Sequence, residues 1–223
     1  MKQKAIVVII CALVLTISNI SSAADKPVLW GVKVTGNVEL PGKWRGDNNS
    51  VKMFNPGAGC TAGVVSNIYL GSNFYLEPGV SFFYSRYNYD LSLGYFDNLE
   101  ENPSLSKYGV QVPIVVGYTF HIGDTFSMNL FTGPQVRYAL GGGVGIKDEA
   151  LKEENEDLLS WDTFRRFDCS WKIGLGFPVD NFAISLEADL GMTNLIKPSD
   201  LTGRTTMRFR ENRLLLLGLT YYF

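Results

Sequence analysis

RLLLLGLTYYF, residues Arg213 to Phe223, closes the chain. Counted back in twos from the end, Phe223, Tyr221, Leu219, Leu217 and Leu215 form an unbroken apolar set. The other parity, Tyr222, Thr220, Gly218, Leu216 and Leu214, is mixed. A period of two with one apolar face is the signature of a strand, since successive side chains point to opposite faces. Leu215 to Phe223 also has the length that a tilted strand needs to cross a bilayer. Two readings are open on this stretch alone: the last strand of a membrane β-barrel, or of a soluble β-sandwich.

The N-terminus favours the barrel. Lys2 and Lys4 precede an apolar run from Ala5 to Ile17, and Ser21-Ser22-Ala23-Ala24 follows ahead of Asp25 and Lys26. A basic start, a short apolar run and small residues at a cleavage site make a secretory signal peptide. The expected division is a signal peptide over 1–24 and a barrel domain over 25–223. Cys11 has no small residue before it, so no lipid anchor is expected. Beyond the signal no apolar run is long enough for a membrane-spanning helix.

Without Lys2 and Lys4 the 20 basic residues fall to 18, against 22 acidic ones. That balance argues against a nucleic-acid partner, which calls for a basic excess. Cys60 and Cys169 are too few for a disulfide framework. They fall on the second and sixth expected strands, on opposite walls, and no bridge between them is expected.

Eight strands can be traced. The first, Leu29–Glu39, sets Trp30, Val32, Val34 and Val38 against Gly31, Lys33, Thr35 and Asn37. The second, Gly57–Leu70, is the least clear, because both parities hold small or apolar residues. The third is Phe74–Tyr87, where Pro78 is a mark against a regular ladder. The fourth, Lys107–Ile122, puts Tyr108, Val110, Val112 and Ile114 opposite Gln111 and Pro113. The fifth starts at Thr125, the sixth spans Thr163–Val179, and the seventh begins at Phe182 as the cleanest alternation of all. The polar stretches Leu40–Pro56, Asn88–Ser106, Lys147–Asp162 (with a helical turn expected) and Lys197–Thr205 separate them.

Tight turns near Ser72, Gly123 and Asp180 alternate strictly with four long polar connections. Even strand number, short turns on one side and long loops on the other describe an outer-membrane barrel. Aromatic residues gather at both expected membrane edges, with Trp30, Phe74, Phe120, Phe126, Phe177 and Phe182 on the turn side. Tyr84, Tyr108, Tyr138 and Phe167 fall on the loop side, as headgroup-level girdles require. The expected fold is therefore all-β: an eight-stranded antiparallel up-and-down transmembrane β-barrel, monomeric, with both termini periplasmic, in the outer membrane of a Gram-negative bacterium.

FYLEPGVSFFYSRY (Phe74–Tyr87), YGVQVPIVVGYTF (Tyr108–Phe120) and the closing LGLTYYF carry a family resemblance. They resemble the outer-membrane β-barrel domain of Bacteroidota porin-family (PorT-like) proteins, and the architecture is similar to small OmpX- and OmpA-type barrels. The matching motifs are LEPG at Leu76–Gly79, and Val110-x-Val112-Pro113 with a Tyr118-x-Phe120 end. They speak for fold and hardly for activity; a role in secretion follows only by analogy. The resemblance also implies that Tyr221 and Phe223 form the C-terminal signal for the barrel-assembly machinery.

The interior of eight strands is wide enough only for its own side chains. Inward parity carries Lys33, Glu77, Gln111, Asn129, Arg137, Asp168, Lys172, Glu187 and Asp189. Buried charges persist only when paired and hydrogen-bonded, so a closed polar network of Lys33, Glu77, Arg137, Asp168, Lys172, Glu187 and Asp189 is expected. It is preferred over a conduction path and over Glu187 and Asp189 as a catalytic pair. His121, the one histidine, falls at the turn end of the fourth strand, away from where outer-membrane lipid hydrolases place theirs. Cys and His lack metal-ligand spacing, and Gly141–Gly145 lacks the Lys-Ser/Thr of a phosphate loop; it suits a bend or bulge. No catalytic residue, cofactor or metal site is expected.

Loop charge hints at partners. Lys147–Asp162 holds seven acids and two lysines, while Arg204, Arg208, Arg210 and Arg213 cluster before the last strand. Lys43, Arg45 and Lys52 add to the basic side. The charged loops are either mutually neutralised and solvated, or Arg204, Arg208 and Arg210 meet lipopolysaccharide phosphates and the acidic side meets divalent cations. The function expected is a non-enzymatic outer-membrane barrel, structural or surface-interacting, with a filled lumen. A narrow channel for ions or small solutes is the alternative, and a lipid-modifying enzyme a third.

Overall fold

The computed structural model describes residues 28–40, 44–45, 50–51, 54–89, 104–123, 126–145, 165–193, 208–209 and 213–223. Its strands in chain order are β1 (Val28–Leu40), β2 (Trp44–Arg45), β3 (Ser50–Val51), β4 (Phe54–Gly71), β5 (Phe74–Tyr89) and β6 (Ser104–Ile122). β7 (Phe126–Gly145), β8 (Phe167–Val179), β9 (Phe182–Gly191), β10 (Arg208–Phe209) and β11 (Arg213–Tyr222) follow. Eight of these close into a barrel in the order β1-β11-β9-β8-β7-β6-β5-β4. Every neighbouring pair is antiparallel, and β11 closes the ring on β1 with Val32 opposite Tyr221 and Val38 opposite Leu215. Full closure leaves no sheet edge, which is the condition for strands to cross hydrocarbon.

The period of two decides which side is which. Val34 is 52% exposed and Leu217 59%, whereas Glu39 and Gln135 are 0% and Asp189 is 1% exposed. Apolar side chains thus coat the outside and the polar parity is buried, the reverse of a water-soluble globule. At the turn end, Phe74 packs edge-on to Tyr118 at 4.8 Å and Tyr118 to Phe120 at 4.7 Å. Phe182 lies 4.9 Å from Tyr221 in the same girdle. At the loop end Tyr84, Tyr108 and Phe167 are exposed on the outer face, and the Phe82 and Tyr108 rings lie 6.2 Å apart.

Several boundaries differ from the sequence expectation. β5 runs on to Tyr89 and β6 starts at Ser104, so both ends of the expected polar stretch Asn88–Ser106 are ladder, with Asn88 opposite Ser104. Pairing across the closed sheet overrides local polarity there. β4 starts at Phe54, ahead of Gly57, and a register shift between Asn55 and Ala58 absorbs Pro56, which has no N–H for the ladder. β8 opens at Phe167; Thr163 and Phe164 lie outside the described residues, as do the helical turn expected in Lys147–Asp162 and the loop arginines 204 and 210. Pro78 is accommodated inside β5, but the β5–β6 pairing skips from Pro78/Ile114 to Ser81/Gln111. On β7 a shift between the pairs Tyr108/Gly141 and Gly109/Ala139 places a bulge at the start of the glycine run. β4 and β8 lie across the barrel from one another, and no disulfide joins Cys60 to Cys169.

Large side chains also fill the lumen. Tyr75, Val115 and Phe131 form a buried cluster, made possible by glycines on adjoining strands. A Cβ at Gly117 would stand 2.1 Å from Tyr75 Cζ, and one at Gly174 would stand 2.4 Å from Phe131 Cζ. Gly117→Val is expected to displace the Tyr75 ring and destabilise the barrel by about 1–3 kcal/mol. Gly36→Ala serves as control, since a Cβ there meets nothing within 4 Å. Equilibrium urea unfolding in phospholipid vesicles measures both; equal midpoints would refute the packing role given to Gly117.

Candidate functional site

The inward parity of the ladders delivers charged side chains to one narrow space. Lys33 from β1 lies 2.6 Å from Glu187 of β9 and 3.6 Å from Glu77 of β5. Lys172 from β8 sits 2.6 Å from the other Glu187 oxygen and 2.8 Å from Asp189. Ser185 Oγ donates to Glu187 Oε1 at 2.7 Å. Two ammonium groups therefore share one carboxylate, and three carboxylates surround two lysines. The cluster is buried: the Glu187 and Asp189 side chains are 1% exposed and Lys172 is 4%, with Lys33 at 12% and Glu77 at 11%.

The network extends both ways along the axis. Towards the turn end, the Tyr222 hydroxyl donates to Glu77 Oε2 at 2.8 Å. Towards the loop end, Gln135 Nε2 donates to Asp189 Oδ2 at 2.8 Å. Glu39 accepts from Ser85 at 2.6 Å and from Asn37 at 3.1 Å, and the Arg137 guanidinium stands 3.8 Å from it. Aromatic faces add to the contacts of the cations. Arg137 lies 4.3 Å above the Phe83 ring, Lys33 is 5.4 Å from the Phe131 centroid, and Lys107 is 5.6 Å from that of Tyr87. Cation–π contact of this kind is strongest where water is excluded. Beside Lys33, Glu77, Gln111, Lys172 and Glu187 remains a cavity of about 20 Å³, the size of a single water.

Of the network residues expected from sequence, Lys33, Glu77, Lys172, Glu187 and Asp189 meet in this one cluster. Arg137 turns to Glu39 instead. Asp168 stands opposite Arg137 in register, is half-buried, and accepts from Thr193 Oγ1 at 3.0 Å. Sequence reasoning missed Glu39 and Lys107, both buried in the lumen. Each lies at the end of an expected strand, where carrying the alternation through to the last residue would have found it. His121 is exposed at the turn end of β6. Among the described residues no group of three His, Cys, Asp or Glu side chains is placed to hold a metal ion.

Separate from the barrel, β10, β2 and β3 form a small sheet in that order. Arg208 is opposite Arg45 and Phe209 opposite Trp44; Trp44 is in turn opposite Val51, and Arg45 opposite Ser50. The connection leaving β1 and the one entering β11 are thereby paired with each other.

Comparison with curated proteins gives no sequence match. Among solved structures the chain is similar to Neisserial surface protein A, at 10% identity and TM-score 0.44, covering 87% of this chain and 97% of that one. It is similar to OprG of Pseudomonas aeruginosa at 8% identity and TM-score 0.45, covering 89% and 97%. A third similarity is to Ail of Yersinia pestis, solved with the heparin analogue sucrose octasulfate, at 13% identity and TM-score 0.39, covering 87% and 99%. Residues 20–197 match the family model described as outer membrane protein beta-barrel domain. The chain belongs to that family, a barrel of the Gram-negative outer membrane.

Proposed function

We propose that this outer-membrane barrel is a non-enzymatic structural or surface-interaction protein whose lumen is sealed by its own side chains. One observation carries the reading: the Glu77–Lys33–Glu187–Lys172–Asp189 cluster joins β5 to β9 and β8 across the lumen, and the cavity beside it is of water size. An ion crossing there has to break these contacts in a low-dielectric space, which costs several kcal/mol for each charge left unpaired. Purified protein in planar bilayers is expected to give no stepwise conductance in concentrated KCl. Steady openings would replace this reading by the narrow channel.

The non-enzymatic part is supported by charge that is already paired. Glu187 and Asp189 are held by lysines and closed off from lipid, and His121 stands at the turn end. A mass shift of lipid A on expression would restore the enzyme reading. The further proposals are a signal peptide over residues 1–24, a monomer with its loops outside, and assembly signalled by Tyr221 and Phe223 to the barrel-assembly machinery. The Bacteroidota PorT-like assignment, resting on LEPG and the Val110–Phe120 motif, belongs with them. The basic residues Arg204, Arg208 and Arg210 are proposed to meet lipopolysaccharide phosphates, a reading supported by their clustering in the sequence ahead of the last strand.

A further inference from the structure

We infer that the wall from β4 to β7 is a seam that parts locally between the two aromatic girdles while the rest of the ring stays closed. Water then reaches groups that the shut wall leaves without partners. Prolines stand on three consecutive strands: Pro78 on β5, Pro113 on β6 and Pro134 on β7. The β4–β5 pairing passes from Val65/Gly79 to Ile68/Leu76, and the β5–β6 pairing from Pro78/Ile114 to Ser81/Gln111. The β6–β7 pairing passes from Pro113/Gln135 to Val116/Thr132. A residue in an antiparallel ladder turns its N–H and C=O to the same neighbour, and proline has no N–H to offer. Each proline accordingly keeps its pair on the following strand, Ile114, Gln135 and Trp171 respectively, and loses the one before it. The other five neighbouring pairs of the ring run without a skip over the residues they pair.

The lapses adjoin one another. Val112 and Pro113 lack a β5 partner and the next two residues, Ile114 and Val115, lack a β7 partner, so β6 is held on one side only throughout this stretch. Depth makes the loss costly. Pro78 lies between the exposed rings of Phe74 and Tyr84, and Pro113 between those of Tyr108 and Phe120. At that height hydrocarbon supplies nothing to the freed backbone groups. Within the first lapse, Ser66 Oγ and Asn67 Oδ1 are also buried and find no hydrogen-bond partner among the described residues. A buried polar group left unmade costs its desolvation, so shutting the wall gains less here than elsewhere. The water-sized cavity of the lumen lies directly behind, lined by Val65, Glu77, Gln111, Pro113 and Val115 among others. Few ladder bonds, unmet polar groups and an adjoining cavity are the conditions for local opening.

Amide hydrogen exchange of the full chain in phospholipid nanodiscs, read residue by residue by NMR, tests the seam. The paired amides flanking the lapses are expected to exchange at least roughly tenfold faster than those midway along β8, β9 and β11, because opening exposes bonded neighbours as well as unbonded groups. Pro78→Ala, Pro113→Ala and Pro134→Ala each restore one N–H. They should slow exchange at the β4–β5, β5–β6 and β6–β7 pairings respectively, each at its own pairing, and the triple variant should match the opposite wall. Ser66→Ala restores no backbone bond but removes an unpartnered hydroxyl, and should slow exchange at β4–β5 alone. Equal exchange on the two walls of the wild-type protein overturns the seam. Fast exchange confined to the unpaired residues overturns it too, since that describes a fixed gap and not an opening. Fast exchange that all three proline replacements leave unchanged does the same.

Discussion

Lys172→Met is expected to lower the unfolding free energy of the barrel by about 3–5 kcal/mol, the cost of leaving buried charge without its partner. Lys172 Nζ sits 2.6 Å from Glu187 and 2.8 Å from Asp189, with both carboxylates 1% exposed. Methionine fills a similar volume, so the loss reads the charge and not a cavity. The two carboxylates fare differently. Glu187 keeps Lys33 at 2.6 Å, whereas Asp189 keeps the neutral Gln135 amide at 2.8 Å. Lys172→Met combined with Asp189→Asn should therefore be less destabilised than Lys172→Met alone, because the new side-chain amide can still accept from Gln135 without carrying a charge. Urea unfolding in phospholipid vesicles, followed by tryptophan fluorescence, measures both. A loss below about 1 kcal/mol would mean that water reaches the cluster, since solvent-exposed pairs contribute no more than that.

That cluster was legible because parity is a strong constraint. In β9, Phe182, Ile184, Leu186 and Leu190 are exposed while Ser185, Glu187 and Asp189 are buried, as a period of two demands once one side is lipid. β11 and β1 read the same way. β4 did not, because Ala58, Cys60 and Ala62 outside and Gly59, Thr61 and Gly63 inside differ too little in polarity to declare a face. There, the partner strands set the register. Glu39 and Lys107 were lost at strand ends, where local pattern gives out before the ladder does. The inward aromatics Tyr75, Phe83, Tyr87 and Phe131 share parity with the charges. The stacking of Phe131, Phe83 and Tyr87 against Lys33, Arg137 and Lys107 depends on neighbours brought round the closed wall. The small sheet of β10, β2 and β3 had no signature at all. Arg45 and Arg208 come from opposite ends of the chain, and two-residue strands carry no period.

The outer wall gives the second large effect, and its dependence on depth is the sharper part. Leu217→Arg is expected to destabilise the barrel by about 2–4 kcal/mol in vesicles, and Val179→Arg by about 0–1 kcal/mol. Leu217 is 59% exposed near the middle of β11, between Leu186 on β9 and Gly36 on β1. Val179 is 60% exposed as the last residue of β8, beside the turn. By exposure the two are equal, so a protein surrounded by water would accept arginine at both with changes within about 0.5 kcal/mol. Only a low-dielectric medium around the barrel's waist penalises one and spares the other, since an arginine at the rim reaches the headgroups and one at mid-height does not. Unfolding free energies measured in vesicles of increasing acyl-chain length add a second axis. The Leu217→Arg penalty should grow with thickness while that at Val179 stays small, and two equal penalties would place the apolar parity against something other than lipid.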